Sequence, residues 1–106
     1  MVAAEVAAEI AAAWHLPEFV AALTSVSANT VSAYHGDVAD FVEWAGRGGV
    51  QDPATVDRLL LRRYVASLTT RQYAKRSIAR KVSALHRYFG FLRRTGVLAI
   101  DPSLAV

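Results

Sequence analysis

The chain has no cysteine, which excludes a disulfide framework and any thiolate metal site and leaves packing alone to hold the fold. Long hydrophobic runs are missing too: no segment reaches the ~18 uninterrupted apolar residues of a membrane span. No membrane partner is expected. The opening stretch MVAAEVAAEIAAAW has no basic leader and carries Glu5 and Glu9 inside its apolar run, unlike a secretory signal. A reducing cytoplasm suits these absences. There is no Asn-Gly or Asp-Gly pair and no alternating apolar run, so neither a β-hairpin nor a strand is signalled. The motifs GxSxG, P-loop, GxGxxG and HExxH are absent as well. GRGG at 46–49 lacks a preceding strand and a Gly-Lys-Ser/Thr ending, and reads as a plain connector. His15, His35 and His86 stand far apart, none with a second ligand at metal-binding spacing. No metal or other cofactor is expected. Asp40 and Glu43 at i, i+3 form a solvated acidic face, while Asp37 points nearer the core side and caps or pairs locally. No cluster of candidate catalytic groups remains.

Acidic residues are missing from one half only. Between Arg58 and Ile100 there are eleven Lys or Arg and no Asp or Glu, whereas residues 1–57 hold eight of the nine acids and a single base, Arg47. Such asymmetry makes a one-sided field that favours a polyanion, most plausibly nucleic acid. The bland alternative is a solvated basic face without a partner.

Hydrophobic residues make up 54% of the 106 residues, enough for a folded domain rather than a disordered chain. A chain of this length makes one domain that buries about 65% of its unfolded surface. Its pattern is all-α. A first helical stretch covers residues 3–24, with a break or restart near His15 to Pro17 because proline belongs in a first turn. Its alanines favour helix but bury little area, so that half frays or packs on a partner. A second helix opens at SANT, capped by Ser27 or Asn29, and runs to Gly46 as its left-handed terminator. Thr30, Tyr34, Val38, Phe41 and Ala45 share its core side. A third, from Asp57 as N-cap to Leu68, buries Leu61, Tyr64, Val65 and Leu68. TTRQYA is then a turn.

The fourth helix, from Ala74 to Thr95 with Gly96 as its stop, carries the clearest pattern. At about 100° per residue, Ile78, Val82, Leu85, Phe89 and Leu92 fall within roughly 80° of one another. On the same wheel Arg76, Arg80, Arg87 and Arg94 cluster within roughly 40°, about half a turn away. The helix is expected to bury one side and present a basic strip on the other. After it, VLAIDPSLAV contains no further helix and reads as the start of a linker.

These residues match a family. SANTVSAYHGDVADFVEWAGRGG resembles the S-x-x-T-x-x-x-Y-x-x-D-[LV]-x-x-F-x-x-[WF] helix in the N-terminal core-binding, SAM-like domain of tyrosine recombinases, the family of phage integrases and Xer proteins. KRSIARKVSALHRYFGFLRRTGVLAIDP resembles that domain's last long helix and its closing Asn/Asp-Pro. The likeness spans about residues 18–103, leaving 1–16 as an Ala-rich extension. It implies a compact four- to five-helix SAM-like orthogonal bundle that binds double-stranded DNA, clamping a recombination half-site together with a separate catalytic domain. The catalytic arginines, lysine, histidines and nucleophilic tyrosine belong to that other domain, which the 106 residues do not include, so this fragment by itself is not expected to be an enzyme. Tyr34 and Tyr88 are accordingly read as packing residues. Matched residue by residue, the resemblance nominates Thr30 and His35 on the second helix and Lys75, Arg76, Ser77, Arg80 and Arg87 on the last as DNA contacts, with Arg71 and Tyr73 as further phosphate contacts. Arg80 either reads a base edge or clamps a phosphate.

The sequence departs from the family where relatives often carry two basic residues after the tyrosine, here His35 and Gly36. It departs again at Ala74, where Ser or Thr would cap the last helix, a loss of ~1 kcal/mol. Xer-type chromosome dimer resolution is the first functional reading, with other recombinase protomers as partners in a tetramer on DNA. A phage or transposon integrase is the alternative within the family, and a helical protein-interaction module the alternative outside it.

Overall fold

The computed structural model describes residues 2–106, and among them the all-α expectation holds: five α-helices, one 3₁₀ turn and no strand. The chain divides into two compact units, one ending at Pro53 and one running from Ala54 to Val106.

In the first unit, α1 (Val2–Ala13) and α2 (Leu16–Ala22) are separated at His15, whose backbone is left-handed (φ 57°). Pro17 lies in the first turn of α2, where its missing N–H costs nothing. The break therefore falls where the proline demanded it. α1 buries no residue; its Val2, Val6 and Ile10 are exposed. Burial begins at Trp14, Leu16 and Phe19.

The third helix, α3 (Ala28–Arg47), is capped by Ser27, whose hydroxyl accepts from the Thr30 amide at 3.2 Å. It buries Asp37, Val38, Phe41, Val42 and Ala45. Trp14 meets Phe41 edge-on with ring centroids 6.0 Å apart, and Trp44 lies 6.1 Å from Phe41. Asp37, expected nearer the core side, is buried. Two features differ from the sequence expectation. Thr30 and Tyr34 are only half-buried, so the stripe is fully covered from Val38 onward. The helix also passes straight through Gly46: the left-handed residue is Gly49 (φ 87°), with Val50 N–H donating to Ala45 O and Gly49 N–H to Gly46 O. That pair of bonds is the Schellman closure. It sets the stop three residues later than Gly46.

Pro53–Thr55 makes the 3₁₀ turn at the boundary, and in the second unit α4 (Arg58–Thr70) begins at Asp57, whose carboxylate accepts from the Leu60 amide at 2.8 Å. Leu61, Tyr64 and Leu68 are buried as the pattern predicts; Val65 is half-buried. Thr69 and Thr70, expected in a turn, complete the helix. It closes in a second Schellman pair, Tyr73 N–H to Leu68 O and Gln72 N–H to Thr69 O, around Gln72 in the left-handed region (φ 61°). The final helix, α5 (Lys75–Arg94), packs on α4 and ends before Gly96 (φ 81°).

The residues after α5 are not a loose linker start. His86 Nδ1 lies 3.2 Å from Ser103 Oγ and its Nε2 lies 3.0 Å from Val106 O. Ser103, almost wholly buried, donates from both its amide and its hydroxyl to Asp101 Oδ1. The tail is tied back onto α5.

Candidate nucleic-acid interface

Arg76, Arg80, Arg87 and Arg94 are all exposed on α5, as their shared angle requires. The buried face of the helix is wider and turned relative to the apolar pattern. Its buried residues are Lys81, Ala84, Leu85, Tyr88, Phe89 and Leu92, centred roughly 50° from the centre of the predicted stripe on a wheel of 100° per residue. Ile78 and Val82, at the edge of the new centre, are half-buried. The turn leaves Lys75 and Arg93, which share one wheel angle on the far side of the exposed arc, outside as well. Arg93 was not among the sequence candidates. Its angle, equal to that of Lys75, is the signal that finds it.

Lys81 is the other residue that sequence reasoning missed. It is only 3% exposed, because its four-carbon stem can lie along apolar surface while the ammonium finds polar company. Its Nζ sits 5.6 Å from the centroid of the Tyr73 ring. Arg71 Cζ lies 5.2 Å from the same centroid. Arg71 is further tied to Ser67 by Nε to the backbone oxygen (3.3 Å) and Nη2 to the hydroxyl (3.1 Å). Arg71 and Tyr73 are thus brought together at the α4–α5 corner, one turn ahead of Lys75 and Arg76.

The first turn of α5 adds a further electrostatic feature. Ala74 takes the extended N-cap conformation but offers no side chain to the first amides, and no acid stands in that turn. Uncapped amide donors beside Lys75 and Arg76 leave positive potential unopposed at the helix start. Ser77 is half-buried there.

Thr30 and His35 lie on α3 in the other unit. Five residues apart, they point about 140° from each other around the helix. Thr30 is half-buried and its hydroxyl is within 3.0 Å of Ser27 Oγ, whereas His35 is exposed. One face of α3 does not present both.

Burial pushes the Tyr88 phenol well above its ordinary range, and the residue is wholly enclosed, with its ring edge-on to Phe89 at 4.9 Å. It is a packing residue. From Ala54 to Val106 eleven Lys or Arg face two acids, Asp57 and Asp101, a formal charge of +9; the residues up to Pro53 carry −6.

The family model described as the phage integrase N-terminal SAM-like domain matches residues 16–96. The chain belongs to this family. As a phage-integrase SAM-like domain it is 35% identical over 81 residues to a tyrosine recombinase XerC of Xanthomonas campestris pv. campestris, covering 76% of this chain and 25% of that protein. It is 35% identical over 86 residues to a tyrosine recombinase XerD of Bradyrhizobium diazoefficiens, covering 81% and 27%. A XerC of Listeria monocytogenes is 32% identical over 76 residues, covering 72% and 25%. The chain spans about a quarter of the length of these curated relatives. No solved structure matches it significantly. Among the described residues, no helix of this SAM-like domain is long and apolar enough to cross a membrane.

Proposed function

We propose that the chain binds double-stranded DNA as the core-binding domain of a site-specific tyrosine recombinase. The observation that carries the reading is the exposed arginine strip of α5 within a unit of formal charge +9. Arg76, Arg80 and Arg87, with Lys75, neutralise phosphates along one groove edge and release counterions. Most of these contacts position the protein, and Arg80, mid-strip, is the residue best placed to reach a base edge. Arg71 and Ser77 extend the contact at the start of α5, where the uncapped amides also favour an anion, and Tyr73 lies beside the Arg71 guanidinium. On α3 the exposed His35 is the candidate for a smaller contribution, while Thr30, half-buried and beside Ser27 Oγ, lies on another face. The helical core of about residues 18–103 is the binding domain, with 1–16 as an extension.

In this reading strand cleavage and rejoining belong to a catalytic domain outside these 106 residues, and the fragment alone cuts nothing. The parent acts in the cytoplasm as a Xer-type recombinase that resolves chromosome dimers, in a tetramer with other protomers; the XerC and XerD relatives favour this over a phage or transposon integrase. A second, compatible reading is protomer association through α1. It is favoured by the exposed Val2, Val6 and Ile10 and by the apolar groove of about 780 Å³ that Val6, Ile10, Trp14, Val42 and Val50 line.

The test is a salt titration of duplex-DNA binding. Arg76, Arg80, Arg87 and Lys75 contribute about −4 to the log–log slope, and Arg76→Ala/Arg80→Ala/Arg87→Ala removes about three-quarters of that contribution with a large loss of affinity. Equal, salt-insensitive retention of DNA by both proteins would sink the proposal.

A further inference from the structure

Arg71, ahead of the α5 strip, is held in place. Two of its five guanidinium donors are committed to the Ser67 backbone oxygen and hydroxyl, and its Cζ lies 5.2 Å from the centroid of the Tyr73 ring. The ring is itself fixed. Tyr73 N–H closes the Schellman pair with Leu68 O, the left-handed backbone of Gln72 sets the approach, and the buried Lys81 ammonium lies 5.6 Å from the same ring. Arg71 is exposed at the corner that leads into the uncapped first turn of α5. A flexible arginine loses side-chain entropy when it grips a phosphate, whereas a guanidinium already oriented loses less per bond formed.

We infer that Tyr73 is a positioning residue, which together with Lys81 holds Arg71 as a pre-oriented fork for a single backbone phosphate of bound DNA. The inference rests on the DNA-binding reading above. Its chemistry is specific: the ring face acts on Arg71, and the Tyr73 hydroxyl plays no part. Tyr73 is 38% exposed, so ring substitutions there leave the buried core in place.

A double-mutant cycle on duplex DNA of mixed sequence, with thermal unfolding recorded for every variant, provides the test. Arg71→Ala weakens binding by about fivefold and reduces the salt slope by about 0.9. Tyr73→Leu weakens it by about threefold, as expected for loss of an exposed cation–π contact, while Tyr73→Phe and Tyr73→Trp bind like the unaltered chain. In the Arg71→Ala background Tyr73→Leu has no further effect. Arg71→Lys, which keeps the charge and loses the fork, is not neutral and binds more weakly. Three results overturn the inference alone: a Tyr73→Phe loss, which makes the hydroxyl the contact; a Tyr73→Leu loss that persists without Arg71, which makes the ring itself the contact; and full affinity in Arg71→Lys. Failure of the unaltered chain to bind any duplex overturns this inference together with the reading beneath it.

Discussion

Tyr88 has its phenol enclosed beside Phe89, and burial raises its proton affinity far above that of an exposed tyrosine. The linkage has a definite sign. Above about pH 10 the unfolded chain releases this proton while the folded chain keeps it, so stability declines as pH rises, by about 1.4 kcal/mol per pH unit. Below about pH 10 both states hold the proton and the group adds no pH dependence. Urea unfolding followed from neutral pH into this alkaline window is expected to lose stability steeply in the unaltered chain. Tyr88→Phe should shed about one proton's worth of that slope; an unchanged slope would place the phenol in water. Tyr88 as a packing residue was legible from its position beside the apolar stripe, but Lys81 was not. A wheel that scores lysine as polar puts it outside, and only the placement of Tyr73 on the preceding turn gives its ammonium a ring to meet. The angle of the helix was legible from the sequence to within about half a quadrant. The remainder depended on a contact with a neighbouring turn.

Helix boundaries were legible wherever a cap is a side chain. Ser27 and Asp57 accept from the amides that their spacing requires, and the proline between α1 and α2 marks its own restart. Carboxyl ends were less legible, because Gly46, Gly48 and Gly49 offer the same local signal. Which one turns left-handed is decided by where the Val50 amide can reach Ala45 O. The distinction is measurable. Gly49 has φ 87° and open space where a Cβ would stand, so Gly49→Ala meets no clash and is penalised by backbone conformation alone, by about 1–2 kcal/mol. Gly46 lies inside the helix, also with open space, so Gly46→Ala is expected to stabilise by about 0.5–1 kcal/mol. Thermal denaturation of the two variants should move in opposite directions. Had Gly46 been the terminator, their signs would exchange.

At the scale of the whole chain, charge and tail carry the argument. The division between an acidic first unit and a basic second one was fully legible, since it is a count along the sequence. What each basic residue faces was not, because that depends on rotation about α5 and on the corner before it. The tail is the clearest case of information that local pattern lacks: His86 meets Ser103 and Val106 across spacings of 17 and 20 residues, and only the Asp-Pro turn that folds the chain back is written locally. The Ser103 hydroxyl donates to Asp101 Oδ1 at 2.6 Å, so its oxygen accepts from His86 Nδ1 in one tautomer and Val106 O accepts from Nε2 in the other. A neutral ring has one N–H and satisfies one of these two oxygens. Removing the imidazole deletes a side-chain hydrogen bond worth about 0.5–1.5 kcal/mol, while the hydroxyl of Ser103, a residue 1% exposed, keeps its bond to Asp101. His86→Ala is therefore expected to destabilise the chain by that amount and to release the segment after Gly96. Amide hydrogen exchange reads the second effect directly. Leu98, whose amide donates to Leu92 O, and Val106, whose amide donates to Ser103 O, should lose protection in His86→Ala, whereas amides of α4 keep theirs. Uniform loss of protection across both helices would instead make His86 an ordinary core residue, and retained protection at Leu98 and Val106 would mean that the Asp101–Ser103 turn holds the tail without the imidazole.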